Sequence, residues 1–420
     1  MASTTRPKIA IIGTGISGMS AAYFLNRVAD ITVFEKEARP GGHANTVDVE
    51  EDGRKLPVDT GFIVYNLHTY PYFCKLLEEL QVETLESDMS FSVKGKVSGM
   101  EYCGTNVATV FAQRRNLFRP WFYRMLWDIF RFNREGHAIL KARSHGNWTL
   151  GRYLELSGYS EKFREYYILP MGAAIWSTPT VGMLDFPLHS FLLFLANHGM
   201  LGVTTNFKWR TIKGGSREYV KKLIAPFQDR IRYASAVAGV WRGPGKARVE
   251  LAGGETLEFD QIVMATHADI TLKLLRDASE AEKDLLSLYA YQGNDVALHS
   301  NRAVLPKREN AWAAWNYEVD ESSLHAAPCL HYHMNRLQGI PGRKEYIVTL
   351  NPDGVLPDEH FRTRYEHPLY NSEGMRRQDE IDKLNGSNRT YFCGAYCGYG
   401  FHEDGLRSAV KVARHFGVEF

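Results

Sequence analysis

Cysteine is scarce in this chain, with five among 420 residues, an odd number thinly spread. That excludes a disulfide-stapled secreted fold and fits reduced thiols. No apolar run reaches the ~20 residues that a bilayer crossing needs. The most apolar stretch, Ser190 to Ala196, is bounded by His189, Asn197 and His198, and fits a buried helix lining a substrate tunnel. Neither sign of charge prevails, because 50 basic and 48 acidic residues leave a formal +2. The whole-protein field therefore gives no reason to expect a nucleic-acid partner. Low-complexity tracts and internal repeats are missing. So are the GxSxG elbow, the Walker A loop, HExxH and zinc-ribbon cysteine spacings. Hard chemistry then belongs to a bound cofactor. The polar stretch before Lys8 leaves no room for a secretory h-region, which predicts a cytoplasmic protein.

What is present is concentrated at the start. Ile9 to Ile12 is a continuous apolar run of the kind that parallel strands buried on both faces require. Gly13-x-Gly15-x-x-Gly18 follows at once and opens a predicted helix over Ile16 to Asn26. The first glycine permits the tight turn, the second lets backbone approach a pyrophosphate, and the third lets the helix pack on the strand. Unpaired N–H groups at that helix start suit a phosphate. A second strand, Ile31 to Phe34, ends in Glu35, at the spacing of a ribose-binding acid that would repel a 2′-phosphate. A further glycine pair in Arg39-Pro-Gly41-Gly42-His43 lets backbone run along an extended dinucleotide and favours FAD over NAD.

These motifs resemble the flavin amine oxidase and phytoene-desaturase superfamily. Three further stretches carry the likeness: Leu56 to Phe62 with its Asp59-Thr60-Gly61 turn, Lys213-Gly214-Gly215-Ser216, and Phe392-Cys-Gly394-Ala395 through Glu403-Asp404-Gly405-Leu406-Arg407-Ser408. More narrowly, Val58 to Tyr65, Leu169 to Trp176 and Gly398 to Leu406 resemble a bacterial group of NAD/FAD-binding oxidoreductases often encoded near fatty-acid cyclopropanation genes. The resemblance implies an α/β fold: a Rossmann-like FAD-binding domain, with a parallel sheet and helices, plus a discontinuous α+β substrate or cap domain. It implies FAD, and a candidate cofactor-binding set of Gly13, Gly15, Ile16, Ser17, Gly18, Glu35, Lys36, Gly41, Gly42, His43, Thr60, Gly61, Val237, Gly394, Glu403, Gly405 and Leu406. Val237 falls where the family holds adenine by its backbone. Gly405-Leu406 is expected at a helix start, facing the flavin N1/O2 edge. Two departures bear on activity. Ala395 stands where amine oxidases carry an acid, and His402 stands where they place an aromatic of the amine cage, which makes it the one candidate catalytic side chain.

The FAD domain is expected over 6–65, 205–270 and 388–420, and the cap over 66–204 and 271–387. In the cap, Trp121, Phe122, Met125, Leu126, Ile129 and Phe130 form an apolar stripe flanked by Arg114, Arg115, Arg119, Arg124, Arg131 and Arg134. The stripe fits either a helix packed inward or one lying in a membrane interface, so peripheral membrane contact through 114–134 stays open. Strands are predicted over Ala311 to Tyr317, Cys329 to Asn335 and Tyr346 to Leu350. His331 and His333 share a face with no third ligand, so they read as cavity lining or a hydrogen-bonded pair, not a metal site. Cys393 and Cys397 lack dithiol spacing and read as small packing residues. Cys397 is near the flavin by motif alone, so non-covalent FAD is the first expectation and a cysteinyl link the alternative. The activity that fits best is hydride-transfer oxidation, desaturation or isomerisation of an apolar, lipid or fatty-acyl substrate. Amine oxidation and a non-catalytic flavoprotein partner of a lipid-modifying enzyme are the alternatives.

Overall fold

The computed structural model describes residues 6–202, 207–323 and 327–420, so the expected domain boundary at 204/205 lies outside the described residues. Lys8–Ile12 is the central strand of a five-stranded parallel sheet. Its order is Ile231–Arg232, Asp30–Phe34, Lys8–Ile12, Gln261–Met264, Thr390–Phe392. Strand alternation explains why the first run is apolar throughout. Ile9 and Ile11 face a core with Met19, Val33 and Val410 from the helical side. Ala10 and Ile12 face Val240, Val249 and Met264 on the other side. The Ile16–Leu25 and His402–His415 helices cover one face, and an antiparallel meander of Val237–Arg242, Ala247–Leu251 and Thr256–Phe259 covers the other.

A second, seven-stranded sheet is ordered Glu359–Leu369, Ala290–His299, Ile347–Leu350, Cys329–His333, Trp315–Val319, Phe91–Gly95, Glu101–Cys103. All its pairings are antiparallel except that of Trp315–Val319 with Phe91–Gly95. The Pro120–Ala142, Leu169–Trp176 and Leu188–Asn197 helices share its core through Phe122, Phe132, Ala173, Phe191, Val348 and Leu350. Prolines set the helix limits: Pro120 opens the first, Pro179 separates Leu169–Trp176 from Thr180–Leu184, and Pro187 precedes Leu188–Asn197.

Two local expectations change. The strand predicted over Ala311 to Tyr317 is a 3₁₀ turn at Glu309–Ala311 followed by a strand only from Trp315. Asn316 accepts the Ala313 N–H (2.9 Å) and donates to the Ala313 carbonyl (2.7 Å), so side-chain bonds replace the ladder there. The arginine-rich stretch divides into a 3₁₀ turn, Arg114–Phe118, and the long helix from Pro120. Five of the six stripe residues pack inward, Phe122 and Met125 fully and Trp121, Leu126 and Ile129 in part, and Phe132 and Ile139 extend that face, whereas Phe130 points to solvent. Among the described residues no helix is long and apolar enough to cross a membrane.

Candidate functional site

The candidate residues gather at the C-terminal edge of the parallel sheet, where open α/β sheets bind ligands. Gly13 follows the first strand, Glu35 the second, His267 lies three residues past Met264, and Gly394 lies two past Phe392. Gly13 has φ +103°, and a Cβ there would meet the Ala265 carbonyl oxygen at 2.8 Å. At Gly18 a Cβ would fall 1.9 Å from the Gly13 oxygen. Gly15 differs: nothing lies within 4 Å of its Cβ position. The turn is thus crowded at its two structural glycines and open at the one whose backbone would meet a pyrophosphate. Ile16, Ser17 and Gly18 supply first-turn N–H groups of the helix behind it.

Glu35 is buried at 8% exposure. Its carboxylate accepts from the Thr14 N–H (3.0 Å), the Thr14 hydroxyl and the Glu37 N–H (2.9 Å). The backbone beside it is tied to the Ile231–Arg232 strand, as the Glu35 N–H donates to the Arg232 carbonyl at 3.0 Å, and the Ser235 N–H donates to the Glu35 carbonyl at 2.8 Å. Val237 opens the next strand two residues on. Lys36 is exposed, 3.8 Å from Glu37. Gly41 donates to the Thr14 carbonyl at 3.0 Å, and a Cβ on Gly42 would meet Gly15 Cα at 3.2 Å, so the second glycine pair rests on the first motif.

At His43 the cap reaches the site. The Tyr365 hydroxyl, on the Glu359–Leu369 strand, meets Asn45 Nδ2 and Thr60 Oγ1, each at 2.9 Å. The His43 ring lies 4.8 Å from Tyr365 and 5.4 Å from His367 between centroids, and His267 stacks on Tyr291 at 4.3 Å. His43 Nε2 is buried with no hydrogen-bond partner, an orphan polar atom of the kind a ligand satisfies. Burial holds the His43 imidazole well below its usual range and His367 down to about 4, so both rings are neutral at pH 7. Gly61 is close-packed, with a Cβ position 2.2 Å from the His43 carbonyl oxygen. Sequence reasoning missed His267, Tyr291, Tyr365 and His367. Position past a buried parallel strand could have flagged His267, whereas Tyr291 lies on a strand without apolar alternation, and Tyr365 and His367 on one whose alternation with Arg362, Arg364 and Glu366 rests on only two large apolar residues, Phe361 and Tyr365.

The last motif departs from its expected role. The final helix starts at His402, so the Gly405 N–H is already bonded to the Phe401 carbonyl at 3.1 Å. The N–H groups without an intrahelical acceptor belong to residues 402–404 instead. Gly405 serves close packing: a Cβ would strike Ser17 Oγ at 2.7 Å and Ile16 Cγ2 at 2.8 Å. Leu406 is fully buried in the helical core. The Gly394 N–H donates to Ser408 Oγ at 3.0 Å. Glu403 is turned away from the cofactor crevice, accepting from the Tyr72 N–H (3.0 Å) and the Phe73 N–H (2.9 Å) at the start of the Pro71–Glu79 helix. His402 stacks on Phe62 at 3.6 Å and meets the Tyr219 hydroxyl at 3.1 Å, and burial pushes it down to about 3.

Asp59 is fully buried. It accepts from Thr46 Oγ1 (2.6 Å), the Ser216 N–H (2.9 Å), Ser216 Oγ (2.8 Å) and Gln338 Nε2 (2.8 Å), and so ties the two middle glycine motifs together. His331 bonds Thr349 (2.9 Å) and His333 bonds Glu345 (2.5 Å), so the two do not converge. Among the described residues no group of three or more His, Cys, Asp or Glu could hold a metal. Burial raises the thiols of Cys393 and Cys397, the latter to about 12.

A cleft of about 330 Å³ opens beside the N-terminus of the last helix, between the Pro71–Glu79 and Leu188–Asn197 helices. Tyr70, Phe194, Tyr399 and Phe401 line it, with Glu403 and Asp404 at its wall. Asp404 accepts from the Tyr399 N–H (2.9 Å), the Phe401 N–H (3.1 Å) and Arg407 (2.6 Å).

A parallel sheet with a glycine turn, a buried acid at the end of its second strand and a cap sheet closing on the second glycine pair defines an FAD-dependent oxidoreductase with a separate cap domain. The chain belongs to the family of flavin containing amine oxidoreductases, whose pattern matches residues 16–326. No curated protein matches the sequence. Among solved structures, putrescine oxidase bound to putrescine covers 98% of this chain and 98% of its own at TM-score 0.70 and 13% identity. A CLA-producing fatty acid isomerase from P. acnes covers 99% and 100% at TM-score 0.67 and 15% identity. Cyclohexylamine oxidase from Brevibacterium oxydans covers 98% and 100% at TM-score 0.67 and 14% identity. At such identities the likeness is one of fold.

Proposed function

We propose that this FAD-dependent oxidoreductase acts by hydride transfer on an apolar substrate of lipid or fatty-acyl type. The observation that carries the reading is the wall of the aromatic cleft. An ammonium is held best where aromatic faces are joined by a carboxylate free to pair with it. Here Glu403 and Asp404 both spend their oxygens on backbone N–H groups or Arg407. Tyr70, Phe194, Tyr399 and Phe401 remain as a surface for a hydrocarbon chain. His402, in the place of a cage aromatic, is occupied by Phe62 and Tyr219. That a CLA-producing fatty acid isomerase is among the fold neighbours supports the same reading.

When bound, FAD supplies acceptance of a hydride from carbon, or its return to a neighbouring carbon. The protein's part is to bind and orient. Gly13, Gly15 and the Ile16–Gly18 N–H groups would hold the pyrophosphate, and Glu35 the ribose. Neutral His43, His267 and His367 would line the crevice without adding charge. Amine oxidation is the second reading, since two of the neighbours are named for amines. Anaerobic mixing with matched long-chain acids and amines tests the choice. Bleaching of the flavin by acyl chains and not by amines is expected, and saturable bleaching by amines alone would overturn the lipid reading.

A further inference from the structure

The helix that walls the cap core has a second apolar face. Tyr123, Trp127, Phe130 and Arg134 recur at helical spacing opposite the buried Phe122, Met125, Phe132 and Ile139. Tyr123, Trp127 and Phe130 are 47%, 58% and 53% exposed. The 3₁₀ turn before the helix joins this face, because the Tyr123 hydroxyl donates to the Leu117 carbonyl at 3.0 Å, and Phe118 beside it is 86% exposed. Among the described residues, every strongly exposed aromatic side chain lies in these thirteen positions, 118–130. Solvated surfaces scatter such residues singly, so their concentration calls for a partner.

The charge of the patch identifies that partner. Residues 107–134 hold six arginines and one acid, Asp128, which is fully buried. Arg124 and Arg131 answer Asp128, and Arg115 donates to the Ser98 and Gly99 carbonyls, whereas Arg114 and Arg134 have no partner among the described residues. At one end Arg114, Arg115 and Arg308 line a groove of about 570 Å³ whose acid, Glu309, is paired with Arg302 at 2.9 Å. A second copy of the same face would bring arginines against arginines. We propose that this face docks on an anionic lipid bilayer, with Phe118, Tyr123, Trp127 and Phe130 in the interface and Arg114, Arg115 and Arg134 on headgroup phosphates. The surface is separate from the FAD crevice and the aromatic cleft, so the proposal stands whatever the substrate proves to be.

Flotation of the flavin-loaded protein with vesicles tests it. Equimolar phosphatidylglycerol–phosphatidylcholine vesicles are expected to carry wild type upward, pure phosphatidylcholine vesicles are not, and rising salt is expected to release it. Trp127→Ser/Phe130→Ser and Arg114→Glu/Arg134→Glu alter only exposed side chains. Each pair is expected to lower partitioning on the order of tenfold or more while flavin absorbance and melting temperature stay at wild-type values. Quenching of tryptophan fluorescence by brominated lipids, lost in Trp127→Ser, reports insertion directly. Wild type left behind by anionic vesicles would overturn the proposal, as would variants that float equally well. Retention of an acidic protein without vesicle binding would assign the face to a protein partner instead.

Discussion

The glycine motif shows how one residue type performs two jobs within six positions. Gly18 is required by the polypeptide itself, since a methyl group would sit on the Gly13 carbonyl. Gly15 faces open space, and its φ of −63° and ψ of 177° suit any residue. The two alanine substitutions should therefore separate folding from cofactor binding. Gly15→Ala is expected to melt like wild type when stripped of FAD, within about 1 kcal/mol, yet to retain flavin poorly. Gly18→Ala is expected to lose stability with or without FAD, by about 1–3 kcal/mol from overpacking. Equal FAD retention by Gly15→Ala and wild type would remove Gly15 from the pyrophosphate site. Glu35→Ala is expected to weaken FAD binding by about 1.5–3 kcal/mol, the scale of hydrogen bonds to a charged group, measured by titrating the stripped protein.

Among the elements, the Pro71–Glu79 helix is capped from elsewhere in the chain. Its Ncap is Tyr70, which contributes no side-chain bond, and the first-turn N–H groups of Tyr72 and Phe73 go to Glu403. Burial raises the Glu403 carboxyl from 4.5 to about 7, against the pull of those two N–H groups. A raised folded-state value means stability present below the unfolded value of 4.5 and lost as pH rises through about 7. Relative to Glu403→Gln, wild type is expected to lose on the order of 2–3 kcal/mol between about pH 5 and pH 8, read from paired denaturation curves. Parallel curves would dismiss this role. Elements also decide what the sequence made legible. The Lys8–Ile12 strand, both early glycine motifs and Glu35 are legible because a strand buried on both faces and a phosphate turn leave local signatures. The cap's two longest strands, Ala290–His299 and Glu359–Leu369, are not. Glu359–Leu369 is an edge strand with four exposed positions and a proline, and its inward residues Phe361, Thr363, Tyr365 and His367 include only two large apolar ones, so its alternation is weak. His367 and Tyr365 were hidden with it. The start of the last helix was misplaced for a similar reason: a capping carboxylate at Asp404 moved it three residues ahead of Gly405.

In the whole molecule, segments far apart in sequence are joined by polar groups taken out of water, and this sets its response to acid. Asp59, bridging Thr46, Ser216 and the cap's Gln338, is raised by burial to about 6, and Asp404 is raised in the same direction. With Glu403 these carboxyls favour the folded state as pH falls. Histidines oppose them. His43, His267, His367 and His402 around the crevice, and His198, His299, His331 and His333 in the cap, are all held below 6.5, burial being the largest cause for each. A depressed histidine contributes stability that is present above 6.5 and lost as pH falls, because the unfolded chain takes up protons that the folded one refuses. Each such proton is worth about 1.4 kcal/mol per pH unit once fully engaged. Eight histidines outweigh three carboxyls, so the net slope runs against acid. The FAD-free protein is expected to hold a nearly level stability from about pH 7 to pH 8 and to lose several kcal/mol per unit below about pH 6. Guanidinium titrations at stepped pH measure it directly. A flat profile from pH 5 to pH 8 would mean that water reaches these rings in the folded state and that the crevice around His43 is wet.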